Sequence, residues 1–409
     1  MTDFHSTCPY RGRPNHTHWQ RSVASVSARE VRPIVDVPFR VNRKHRIASA
    51  GSCFAQHVAR RLKSSGYHYF VTEPVHAHVP PATAAELNYE VFSARYGNIY
   101  TPRQLVQLFD RAYGTFTPRD AYWEAHGQHV DPFRPFIQPG GFASREELEH
   151  DRRSHLAAVR RLFEQLDVLV FTLGLTETWR SKLDGAVYPV CPGCGAGVHD
   201  PAVHEFVNFG VQDVVDDLNG FLERLARVNP KARMVLTVSP VPLVATMEQQ
   251  SVLVATTYSK SVLRVAAEMV TKQHSNVAYF PSYEIITGNH AGGAYFEDDL
   301  RSVKAAGVDH VMGFFFEAFA EDGAQAPVPD DLQARADNLK ATAIFLDATL
   351  AGACELQAGD WLPGEHPPHH HAFVFLVEFS REPAAGEPGA DWIRGTNAER
   401  TDLRCAEIA

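Results

Sequence analysis

Gly51-Ser52-Cys53-Phe54-Ala55 holds the side chains of this sequence best placed to do covalent chemistry. The preceding Arg46-Ile47-Ala48-Ser49-Ala50 reads as a short buried strand. Phe54, Val58 and Leu62 then fall on one face of a helix running to Ser64. A strand that turns into a helix at a glycine presents its next residues at the open end of a sheet. The helix N-terminus adds unpaired N–H groups and the positive end of a dipole, which favour an anionic sulfur or the oxyanion of a tetrahedral intermediate. A hydroxyl at Ser52 or a thiol at Cys53 in that place implies nucleophilic acyl transfer.

The elements that would position this turn alternate along the chain. Tyr67–Val71 reads as a second strand, closing a first β-α-β unit, and Pro102 to Arg111 as a helix start. A helix over Arg152–Leu166 leads into Asp167–Leu173, a continuous apolar run ending at Gly174, as in a parallel strand buried on both faces. A helix over about 211–228 precedes the strand Arg233–Val238, and a helix over about 258–273 precedes the strand Val277–Phe280. A last helix covers about 304–319. This pattern predicts an α/β fold, a three-layer sandwich with a mostly parallel sheet flanked by helices. Ligands of such sheets lie at the carboxyl ends of the strands. The segments to inspect are therefore Gly51–Ala55, Gly174–Trp179, Ser239–Pro242 and Pro281 onward to Asp299. Residues 1–44 read as an irregular arm and 45–322 as the α/β domain. Residues 323–409 read as a C-terminal appendage, helical over 330–350 and then rich in Gly, Pro and His.

Composition excludes several classes. A net charge of −9 over 409 residues argues against a general nucleic-acid binder. Six cysteines (Cys8, Cys53, Cys191, Cys194, Cys354 and Cys405) do not form a disulfide framework in a chain this long. The polar N-terminus lacks the apolar core of a signal peptide, and nowhere do about 18 uncharged apolar residues run together. The expectation is a cytoplasmic protein without a membrane span or a cofactor.

Further segments accompany the turn: Asn98-Ile99-Tyr100-Thr101, Thr172 to Trp179, Tyr188-Pro189 with Pro192-Gly193, Phe206 with Asn208-Phe209, Val238 to Pro242, and Tyr295-Phe296 to Met312. Together they resemble the GSCFA family over roughly residues 45–320. That family is similar to SGNH (GDSL-like) hydrolases, whose members are esterases, lipases and carbohydrate O-acyltransferases. Aligned on Gly51, the resemblance implies Cys53 as first choice of nucleophile and Ser52 as second. It implies an oxyanion site near Gly174, with Thr176 where the superfamily has Asn, Glu177 beside it, and Asn98 as a second donor. Asp299 matches the superfamily's last Asp, but Ser302 stands where the His of Asp-x-x-His belongs. His310 follows as candidate base, with His290, His199 and His204 as alternatives.

The expected activity is acyl transfer or ester hydrolysis on a small-molecule or carrier-bound acyl substrate. The alternative is a non-catalytic accessory protein that kept the fold without a complete triad. Cys191-Pro192-Gly193-Cys194, with His199 and His204, has ligand types suited to zinc, but the resemblance explains that loop without a metal. Glu365 to His371 reads as a solvated His-rich loop. Tyr258-Ser259-Lys260 suggests a Ser-Lys pair, with an exposed lysine as the default reading. Arg301, Arg180 and Lys260 could meet an anionic substrate group.

Overall fold

In the computed structural model the described residues are 8–76, 78–321, 350–355 and 371–376. The chain divides into two compact units, 1–324 and 325–409. The first unit opens with β1 (Ile47–Gly51), α1 (Cys53–Ser64), α2 (Pro81–Glu86), α3 (Pro102–Ala112), the hairpin β2 (Trp123–Ala125) and β3 (Gln128–Val130), and α4 (Arg145–Gln165). It continues with β4 (Val168–Leu173), β5 (Glu177–Ser181), β6 (Val187–Tyr188), β7 (His204–Asn208), α5 (Val211–Val228) and β8 (Arg233–Val238). It ends with α6 (Val252–Gln273), β9 (Val277–Tyr279), α7 (Ser282–Thr287) and α8 (Ala305–Phe319).

The central sheet has the order β1-β4-β8-β9, every pair parallel. Its alternation builds two cores. Val168, Val170 and Val235 face Phe54, Val58, Leu62, Phe315 and Phe319 of α1 and α8. Leu169, Phe171, Met234 and Leu236 face Leu105, Phe109, Leu162, Phe221 and Leu263 of α3 to α6. A sheet covered on both faces needs apolar residues at successive positions, which is why β4 reads VLVFTL with every residue buried. The result is the expected α/β sandwich of helix, sheet and helix.

Several boundaries differ from the sequence reading. Tyr67–Val71 is not a strand: its backbone meets the sheet at a single parallel bridge from Tyr69 to Ile47, and the Tyr69 hydroxyl bonds the Ser49 hydroxyl of β1. Helix α4 starts at Arg145, where Ser144 caps it by accepting from the Glu147 amide, and α6 starts at Val252 under a Ser251 cap. The segment after Gly174 leads into the central strand of a further, antiparallel sheet, β6-β5-β7, which the sequence reading did not include. The arm before β1 is tied to the domain at its end, because Val41 accepts from the Glu321 amide and donates to Phe319.

Of the second unit, Leu350–Glu355 (β10) and His371–Leu376 (β11) form an antiparallel pair. The helical spacing read over 330–350 lies outside the described residues, apart from Leu350, which is the first residue of β10. No helix among the described residues is long and apolar enough to cross a membrane.

Candidate active site

The turn after β1 has the geometry that a nucleophile site needs. Gly51 adopts φ +139°, and a Cβ there would lie 2.4 Å from the Thr172 carbonyl oxygen, so only glycine lets β1 approach β4 so closely. Its own carbonyl accepts from the Ile99 amide at 2.8 Å. Ser52 occupies the N-cap of α1 but makes no capping bond. Its hydroxyl is buried without a hydrogen-bond partner, the residue being 4% exposed. Cys53 is the first residue of α1 and is exposed. The amides of Cys53 and Phe54 belong to a first turn, which leaves its N–H groups without intrahelical acceptors. Of the two candidates, the thiol is the one a substrate can reach.

Residues Asn98 to Thr101 form the facing wall, ahead of α3, which is capped by a Thr101–Gln104 box. The Tyr100 carbonyl accepts from Gly174 (3.0 Å) and Leu175 (3.2 Å), joining this wall to the end of β4. Asn98 donates to the Tyr100 hydroxyl (3.2 Å) and accepts from Gln56 (3.4 Å), one turn along α1 from Cys53. Its amide nitrogen carries a second hydrogen that these bonds leave uncommitted.

The residues expected to form an oxyanion site at the end of β4 are otherwise engaged. The Gly174 amide is taken by Tyr100. Thr176 donates its amide to Ser259 (3.0 Å) and its hydroxyl to Asn208 (2.6 Å). Glu177 accepts from the Thr246 hydroxyl (2.6 Å) and the Met247 amide (3.4 Å). These three fasten the connection from β4 to β5.

Lys260 corrects the reading of an exposed lysine. It is only 2% exposed, and its ammonium donates to the Gly174 carbonyl at 2.6 Å. No carboxylate pairs with it among the described residues. Burial brings its pKa down to about 7; the nearby Cys53 works against that shift and the Arg301 guanidinium adds to it. A lysine in this state exchanges a proton at neutral pH. Burial, with Cys53 adding to it, also raises the pKa of Tyr100, while Arg301 works against the rise. Cys53, Tyr100, Lys260 and Arg301 thus share one electrostatic neighbourhood. Arg301 has no ion pair among the described residues, and its Nε is buried without an acceptor.

Asp299 and His310 are not brought together. Asp299 accepts from the Ser302 hydroxyl (2.6 Å) and from the amides of Ser302 and Arg301. His310 bonds through Nδ1 to the Tyr295 hydroxyl at 2.5 Å, on α8. Among the described residues no imidazole is hydrogen bonded to Cys53, Ser52 or Asp299. His57, one turn beyond Cys53 and passed over in the sequence, faces Arg60 through Nδ1 at 2.8 Å. His199 packs edge-on to Trp179, His204 accepts from the Asp200 amide, and burial lowers the pKa of His290. Arg180 is neutralised by Glu205 at 2.6 Å. Cys191 and Cys194 share a turn, and no group of three or more possible metal ligands gathers among the described residues.

A cleft opens beside this centre. Gln56, Asn98 and Tyr100, close to Cys53, are among its lining residues, with Asn88, Phe92, Phe133, Arg134 and Val190 further along. The sequence profile of the GSCFA family matches residues 46–315, which includes every element of the central sheet and the turn just described. The chain belongs to the GSCFA family. The pentapeptide of the family's name is the β1–α1 turn, with the glycine required by the approach to Thr172 and the exposed thiol at the helix start. No curated protein matches the chain in sequence.

Proposed function

We propose that this GSCFA protein transfers or hydrolyses acyl groups through a covalent thioester on Cys53, with SGNH-type hydrolases, esterases and acyltransferases as the nearest chemical analogy. What carries the proposal is an exposed thiol at the head of α1 within electrostatic reach of a buried, carboxylate-free lysine anchored to the Gly174 carbonyl. Neutral Lys260 takes the thiol proton while its bond to Gly174 holds the amine in place. The sulfur attacks the acyl carbonyl. The oxyanion is met by the first-turn amides of α1 and by the free Asn98 N–H, with Arg301 adding positive potential. Collapse expels the alcohol or thiol, which takes the proton back from Lys260. Water or an acceptor nucleophile then releases the acyl group by the reverse proton path.

Lys260 here fills the place for which the sequence offered His310 with Asp299, and Ser52 remains the second choice of nucleophile. The Asp299–Ser302 bond favours the second reading, an accessory protein that binds a ligand without turnover. Incubation with a short-chain acyl thioester decides between them. One acyl group per chain on the peptide containing Cys53, seen by mass spectrometry, is the expected result. An unmodified protein across pH 6–9 supports the accessory reading instead.

A further inference from the structure

A narrow second compartment adjoins the cleft: Tyr96, Asn98, Phe133, Arg134 and Pro189 line both, and Arg111 of α3 lines only the second of the two. Arg111 is only 8% exposed. It sits at the edge of a buried ion-pair network in which each of its neighbours has a carboxylate. Arg95 pairs with Glu73 (3.8 Å) and Asp151 (3.0 Å). Arg134 pairs with Asp131 (3.0 Å) and Asp151 (2.7 Å), and Arg152 with Asp131 (3.3 Å).

Four guanidiniums therefore share three carboxylates. The remaining imidazole, His155, is held neutral because burial lowers its pKa to about 4. Asp131 acts on Arg111 through space, but its oxygens are taken by Arg134, Arg152 and the Phe133 amide. Arg111 forms no ion pair and no side-chain hydrogen bond among the described residues. Its guanidinium stacks on the Phe133 ring at 4.1 Å. Burial outweighs Asp131 and brings its pKa to about 10, so it stays charged at neutral pH. A buried, unpaired arginine is costly to maintain, and this one lines the compartment that adjoins the cleft bordered by Gln56, Asn98 and Tyr100.

We propose that Arg111 binds an anionic group of the ligand, a carboxylate or a phosphate, at the end of the cleft remote from Cys53. The planar fork of a guanidinium suits both groups bidentately. Phe92, Phe133, Ile137 and Val190 give the space between apolar walls, beside the polar Asn88, Asn98 and Arg134. The ligand class is thus an acyl compound of a few carbons with a negative charge at its far end. The assignment of the near end to the reacting carbonyl rests on the function proposed above; the anion site does not.

Calorimetric titration of the Cys53→Ala protein separates the two. The probes are adipate, butyl phosphate and uncharged 1-hexanol at pH 7. At least one anion is expected to bind once per chain and at least tenfold tighter than hexanol. Arg111→Met should weaken the anion at least tenfold and hexanol less than threefold. Tighter binding of adipate or of butyl phosphate identifies the group as carboxyl or phosphoryl. Arg111→Met should also unfold at the same or a higher temperature, because methionine keeps the packing on Phe133 and removes an unpaired charge. Anions that bind no better than hexanol, a preference that survives the substitution, or an Arg111→Met protein that cannot fold would each overturn the proposal. Anion binding by a protein that never acylates Cys53 would instead reject the acyl-transfer reading and leave this site standing.

Discussion

Replacing Lys260 with methionine is expected to give a protein that is more stable than the wild type and nearly inactive. Burial holds Lys260 at about 7 against its ordinary 10.5. Its folded-state value is depressed, so the unfolded chain binds more protons between pH 7 and 10.5, and stability rises with pH across that window. Below pH 7 the whole cost of the buried charge is felt; at pH 7 it is about 4 kcal/mol. Methionine removes that cost but leaves the Gly174 carbonyl without its donor, at about 1–3 kcal/mol. The net expectation is about 1–3 kcal/mol of added stability at pH 7, shrinking as pH rises and reversing to a deficit of up to about 2 kcal/mol by pH 10, where the charge cost is nearly gone and the lost Gly174 bond remains. Urea unfolding of both proteins at pH 6 and pH 10 measures it. The same substitution removes the proton acceptor and should lower thioester turnover by about 10²- to 10⁴-fold. A destabilised variant that keeps its activity would mean that Lys260 is a structural peg.

Cys53→Ala should lose turnover by about 10³-fold or more, since no covalent intermediate can form. Ser52→Ala makes the contrast. An N-cap serine normally contributes about 1 kcal/mol through its capping bond, but the Ser52 hydroxyl makes none and has no other partner. Its loss should change turnover less than about threefold and leave stability within about 0.5 kcal/mol. Steady-state rates of the two variants beside circular-dichroism melts decide the matter. The opposite ranking, with Ser52→Ala inactive and Cys53→Ala active, would move the nucleophile to the hydroxyl.

The central sheet was legible because its strands need apolar residues on both faces, so 168–173 and 233–238 stand out as uninterrupted runs closed by Gly174 and Ser239-Pro240. Gly51 was legible for the same kind of reason, a turn that tolerates no side chain. The small sheet was not. Glu177–Ser181 mixes charged, aromatic and hydroxyl residues, and what makes it a strand is pairing with Phe206 and Tyr188, which lie well along the chain.

Lys260 was hidden by a boundary. With α6 begun at Val252, it falls in step with Leu263, Ala267 and Val270, all buried; with the helix begun at 258, it looked like a charged first turn. Arg111 could not be singled out, because its lack of a partner follows from how Asp131 and Asp151 are shared among arginines distant in sequence. The sequence placed Asp299 and His310 in one site only through a resemblance to a spacing that Ser302 breaks, and each finds a local partner instead.

The central claim is that Cys53 reacts by giving its proton to Lys260. It is tested most directly by the pH dependence of acyl-adduct formation at Cys53, followed by mass spectrometry in wild type and in Lys260→Met. The account predicts a single adduct on Cys53 whose formation rate rises through an inflection near pH 7, and a Lys260→Met protein in which that inflection is gone and the rate is lower throughout. An adduct on Ser52, or an inflection at pH 7 that persists without Lys260, would contradict it.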